Sequence, residues 1–151
     1  MASNAEVISA LNDLIATCRD GQDGFQTAAD AIRSGDLKQL FREYSQQRAR
    51  FVGELQQEVR RLGGDPEDSG SVAASLHRGW MGLKSVITGA DDSAILAECE
   101  RGEDSAVANY RAALNTDLPA HVRALVERQF SEVKQAHDRV RSLEKASGAN
   151  A

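Results

Sequence analysis

Apolar residues recur along this chain at alternating steps of four and three, the spacing that keeps them on one face of an α-helix. The first run is Val7, Leu11, Leu14, Cys18, Gly21, Phe25, Ala28 and Ile32. Ser3 and Glu6 stand ahead of it in the S-x-x-E order of a capping box. Ser34-Gly35-Asp36 breaks that helix and caps the next. The second stripe is Leu37, Phe41, Tyr44, Arg48, Phe51, Leu55, Val59 and Leu62, stopped by Gly63-Gly64-Asp65-Pro66. A third begins near Asp91-Asp92-Ser93 and carries Ile95, Cys99, Gly102, Ala106, Tyr110 and Ala113. The fourth follows Leu118-Pro119, a permitted first-turn proline, with Val122, Val126, Gln129, Val133, Ala136, Val140 and Leu143.

Connection lengths then set the topology. A few residues join helices one and two, and few join three and four, so each pair runs antiparallel. Residues 63–90 form a much longer link. A helix of about 25 residues spans about 38 Å, and this link is long enough to travel that distance. Helices two and three are therefore expected to run parallel, as in ferritin-like bundles. Val72, Leu76, Trp80, Leu83 and Ile87 repeat at helical spacing, which predicts a short extra helix over residues 71–88. The expected fold is all-α: a ferritin-like four-helix bundle over residues 1–146, with that crossover between helices two and three and a flexible tail at 147–151.

Composition narrows the function. A net charge of −5 disfavours a nucleic-acid surface, which needs clustered Lys and Arg. No run approaches the roughly 20 apolar residues of a membrane span. Met1-Ala2-Ser3-Asn4-Ala5-Glu6 lacks the basic and apolar regions of a signal peptide, so the expected location is the cytoplasm. Cys18 and Cys99 fit no metal spacing and read as buried free thiols.

The seam positions that are not apolar carry the most information. Arg48 lies in the seam of helix two, Gln129 in that of helix four, and Glu103 beside the seam of helix three. All fall near mid-helix, as do Gly21 and Gly102. Glycine inside a helix costs about 1 kcal/mol relative to alanine, so two at one level imply a need for room. A buried guanidinium is the expected occupant, and it is tolerable only when paired. The expected central layer is Arg48 with Glu103, completed by Gln129 and Tyr110, with Glu100 as a further candidate. Its expected role is structural. Trp80 and Met81 are the candidate interface of a homodimer.

The chain also resembles an uncharacterised bacterial ferritin-like four-helix-bundle family, a domain of unknown function. The resemblance rests on Gln47-Arg48-Ala49-Arg50-Phe51 to Glu54-Leu55-Gln56, Leu62-Gly63-Gly64-Asp65-Pro66, Leu76-His77-Arg78-Gly79-Trp80, and Glu100-Arg101-Gly102-Glu103-Asp104 to Tyr110. The wider ferritin-like superfamily holds two irons with carboxylates and two Glu-x-x-His pairs. The residues three before His77, His121 and His137 are Ala74, Leu118 and Lys134, so no such pair exists here. Glu43-x-x-Gln46 and Glu132-x-x-Gln135 keep only the carboxylate. No metal ligand, cofactor site or catalytic residue is assigned. The expectation is a non-catalytic bundle with a structural or protein-interaction role, and the resemblance adds a stress-related one. The alternative is a metal-binding or redox-active bundle built on Glu100, Glu103, Glu132 and His137.

Overall fold

The computed structural model describes residues 2–66 and 91–149. These residues form four helices and no strand: α1 (Asn4–Ala31), α2 (Gly35–Arg61), α3 (Asp92–Leu114) and α4 (Ala120–Ala149). α4 runs on past residue 146, so the helix covers part of the expected tail. The expected extra helix over residues 71–88 lies outside the described residues, as do Trp80, Met81 and His77.

Local chemistry explains where the helices start and stop. Ser3 and Glu6 make the reciprocal capping box on α1. Ser34 accepts the Leu37 backbone N–H at the start of α2, and Asp91 accepts that of Ala94 at the start of α3. α2 ends in a Schellman turn: the Gly63 N–H reaches the Arg60 carbonyl and the Gly64 N–H the Val59 carbonyl, both at 3.0 Å. Gly63 sits at φ +84°, a left-handed conformation that explains a glycine there. Arg123 ties the α3–α4 turn by donating to the carbonyls of Leu114 and Thr116.

Side chains at the helix ends fix the topology. The backbone N–H groups of Arg33 and Ser34 donate to the Asp92 carboxylate, so α2 and α3 start at the same end of the bundle. At the other end, Asn4 donates to the Leu62 carbonyl and His121 lies beside Glu58. α2 and α3 are therefore parallel, and α1 and α4 run against them. The chain leaves α2 at one end of the bundle and enters α3 at the other. α1 packs between α2 and α3, and α4 packs mainly on α3.

The buried apolar side chains form two clusters. One contains Leu11, Leu14, Phe51, Leu55, Val122 and Val126, and the other Phe25, Ile32, Phe41, Ile95, Leu96 and Val140. On every helix a gap separates them: between Cys18 and Phe25, Phe41 and Phe51, Cys99 and Ala106, and Val133 and Val140. Arg48, Glu103 and Gly21 lie in that gap, while Tyr110 and Gln129 lie at the level of the first cluster.

Candidate functional site: a buried ion pair at mid-bundle

Arg48 and Glu103 face each other across the bundle from α2 and α3. Nη1 of Arg48 donates to Oε1 of Glu103 at 2.7 Å, and Nη2 to Oε2 at 2.6 Å. The guanidinium and carboxylate are thus paired fork to fork, the strongest geometry available to these groups. Both residues are buried, at 1% and 0% exposure. Arg48 Nε donates to Gln47 Oε1 at 3.2 Å, and the guanidinium carbon lies 5.4 Å from the Phe25 ring centre. Burial by itself would lower the Arg48 pKa, but the Glu103 charge and hydrogen bonds outweigh it and hold the pKa above its ordinary value.

Gly21 supplies the space. A Cβ on Gly21 would stand 2.9 Å from Arg48 Nη1 and 3.3 Å from its Cγ. Gly102 is buried on α3 next to Glu103.

A second chain of hydrogen bonds starts within reach of the pair. Cys18 Sγ lies 3.1 Å from the Tyr110 hydroxyl, which donates to Gln129 Oε1 at 2.8 Å. Gln129 Nε2 donates to Glu54 Oε1 at 3.0 Å and to the Phe51 carbonyl at 3.4 Å. Arg128 closes the chain at the surface, 2.6 Å from Glu54 Oε2. Burial pushes the Cys18 thiol up from 9.0 to about 11, and the Tyr110 hydroxyl is raised mainly by burial and then by Cys18.

The expected layer is thus two networks. Arg48 and Glu103 meet directly, and Gln129 bonds Tyr110, Phe51 and Glu54 instead of completing their pairing. Glu100 is not a member: it is half-buried near Arg141, its pKa raised by burial and by Glu144. Sequence reasoning missed Cys18, Glu54 and Arg128 as network members. Cys18 looked like an ordinary apolar seam residue, while the flanking positions of Glu54 and Arg128 resembled a solvated face.

The four residues of the alternative metal-binding arrangement are not brought together. Glu103 is held by Arg48, Glu132 lies 3.6 Å from Arg128, Glu100 lies near Arg141, and His137 bonds Asp104. Glu43, Gln46 and Gln135 are exposed. Among the described residues, no group of three or more His, Cys, Asp or Glu could hold a metal ion. The central layer does not fit a di-iron centre, because both oxygens of Glu103 are engaged by a cation already in place.

The helical arrangement is that of a ferritin-like bundle. It matches the solved structure described as a dodecameric thioferritin, the bacterioferritin-related protein from Bacteroides fragilis, with a TM-score of 0.80 at 13% identity. The match covers 99% of this chain and 89% of that one. No curated protein matches the sequence. A family model matches residues 6–116, and the chain belongs to that family, a domain of unknown function (DUF2383).

Proposed function

We propose that this chain is a non-catalytic ferritin-like bundle that acts as a structural, protein-interaction module, and that its copies pair as a homodimer. The observation that carries the reading is the buried Arg48–Glu103 pair. A guanidinium placed at mid-bundle meets the carboxylate charge, and a divalent cation would have to displace it from both oxygens. The described residues of this level hold each other, Arg48 with Glu103 and Tyr110 with Gln129. Self-association accords with the similar bundle being described as dodecameric. A reducing compartment such as the cytoplasm suits two buried free thiols. No helix among the described residues is long and apolar enough to cross a membrane.

Iron(II) titration of the purified protein in air, followed by metal analysis, tests the central claim. The expected result is no stoichiometric iron, manganese or zinc and no iron oxidation above the buffer rate. Stoichiometric metal that is lost in Glu103→Gln would overturn it. Sedimentation equilibrium tests the pairing separately, and a monomer at high protein concentration would refute the homodimer.

A further inference from the structure

Glu103 and Asp104 are consecutive on α3 and turn to opposite partners. Glu103 points inward to Arg48 of α2, while Asp104 points outward to His137 of α4, with Oδ1 2.6 Å from Nε2. The other ring nitrogen of His137, Nδ1, lies 3.0 Å from Oδ1 of Asp138. The His137 side chain is 12% exposed, whereas Asp104 and Asp138 lie open at 62% and 61%. An ionised carboxylate only accepts hydrogen bonds, so each ring nitrogen facing one must carry a proton. Both nitrogens face one, and only the imidazolium has two N–H groups.

The ring sits at a cleft of about 300 Å³ between α3 and α4. Its charged lining is Asp104 and Arg111 from α3 and Lys134, Asp138 and Arg141 from α4. Of the three cations, Arg111 and Arg141 have other partners, and Lys134 shares Asp138 with His137. Arg111 lies over the Phe130 ring, Lys134 lies 3.9 Å from Asp138, and Arg141 lies 3.7 Å from Glu100. Burial by itself would lower the His137 pKa, but the hydrogen bonds to Asp138 and Asp104 outweigh it and raise the pKa above 6.5.

We propose that His137 is a pH-sensitive clamp between α3 and α4, closed as the imidazolium and released when the ring loses a proton. A neutral imidazole has one N–H and cannot donate to both carboxylates. Whichever nitrogen keeps its proton, the other turns a lone pair toward a carboxylate and the ion pairing to both Asp104 and Asp138 is lost, so the link between the helices weakens. Arg48 still holds α3 from inside, so the change is a local opening of the outer α3–α4 seam. The sign follows from linkage. The folded-state pKa is the higher one, so the stabilisation is complete below the unfolded value of about 6.5. It is lost as the pH rises through the folded-state value.

The test uses the full chain, with imidazole NMR titration between about pH 5 and 9 and His137 assigned from His137→Gln. The expected midpoint lies above 6.5 and moves down in Asp104→Asn, which removes one of the two carboxylates facing the ring at an exposed position. Amide protection factors over residues 100–108 and 133–141 should fall above the midpoint in the native chain. In His137→Gln they should be low at every pH. A His137 midpoint at or below 6.5, or protection that does not follow the titration, would overturn the clamp. If His137→Gln fails to fold, the His137 ring is assigned through its bonded backbone resonances in the native chain, so the wild-type titration still decides the matter.

Discussion

Gly21 and Arg48 touch across the α1–α2 seam so closely that the glycine cannot gain a methyl group without moving the guanidinium. The added Cβ would lie 2.9 Å from Nη1 and 3.3 Å from Cγ. The guanidinium has little freedom to yield, since both terminal nitrogens are bonded to Glu103. The central layer therefore depends on a missing side chain as much as on the charges.

The first prediction follows from that contact. Glycine to alanine inside a helix ordinarily stabilises by about 1 kcal/mol, whereas overpacking a core costs about 1–3 kcal/mol. Gly21→Ala should therefore destabilise, by up to about 2 kcal/mol after the propensity gain is offset. Gly53 is the control, because it is exposed on α2 with nothing within 4 Å of an added Cβ. Gly53→Ala should stabilise by about 1 kcal/mol. Urea unfolding of both variants checks the opposite signs, and equal effects would show that Arg48 yields freely.

Removing one member of the ion pair leaves the other charge buried and unpaired. Arg48→Ala or Glu103→Gln should each cost about 3–5 kcal/mol. The double variant Arg48→Met with Glu103→Gln should cost much less than the sum of Arg48→Met and Glu103→Gln, because the buried charges leave together. A double-mutant cycle on urea unfolding measures the coupling. A coupling energy near zero would show that the two groups do not depend on each other.

Cys18 makes stability depend on alkaline pH. Burial raises its thiol from 9.0 to about 11, so between those values the folded chain holds a proton that the unfolded chain has lost. The stabilisation is complete below about pH 9 and disappears as the pH rises toward about 11, a loss of about 3 kcal/mol. Cys99 is raised in the same direction, first by burial and then by Glu103. The contribution of Cys18 is therefore read as a difference between chains. Cys18→Ala should show a shallower fall in unfolding free energy above pH 9, and identical slopes would remove Cys18 from the account.

The pattern of the chain carried the helix stripes, the caps at Ser3 and Ser34, the start of α3 near Asp91, and the stop at Gly63. Each depends on a side chain and its near neighbours in sequence, or on a period of 3.6 that one strand of residues displays alone. The parallel course of α2 and α3 was also legible, because the short α1–α2 and α3–α4 links force antiparallel pairs and the long link does not. Arg48 and Glu103 stood out for a related reason. Both are charged residues at or beside apolar positions, at matching heights, with a glycine at the same level, and a buried charge needs a partner.

Other partners needed the tertiary structure. Spacing along a helix tells how high a residue sits and roughly which way it faces, but not which of two adjacent helices its last atoms reach. Gln129 is buried, and it bonds Tyr110 and Glu54 rather than Arg48, since its two amide ends meet α3 on one side and α2 on the other. The sequence offered His137 only as part of the alternative metal-binding arrangement, and the Asp104 that faces it from α3 lies 33 residues away in sequence. Sequence by itself determined the helices, their order and the presence of a buried charge, because these follow from local chemistry and connection length. Only the tertiary structure decided the remaining hydrogen-bond partners, because they depend on how the helices rotate about their own axes once the core has packed.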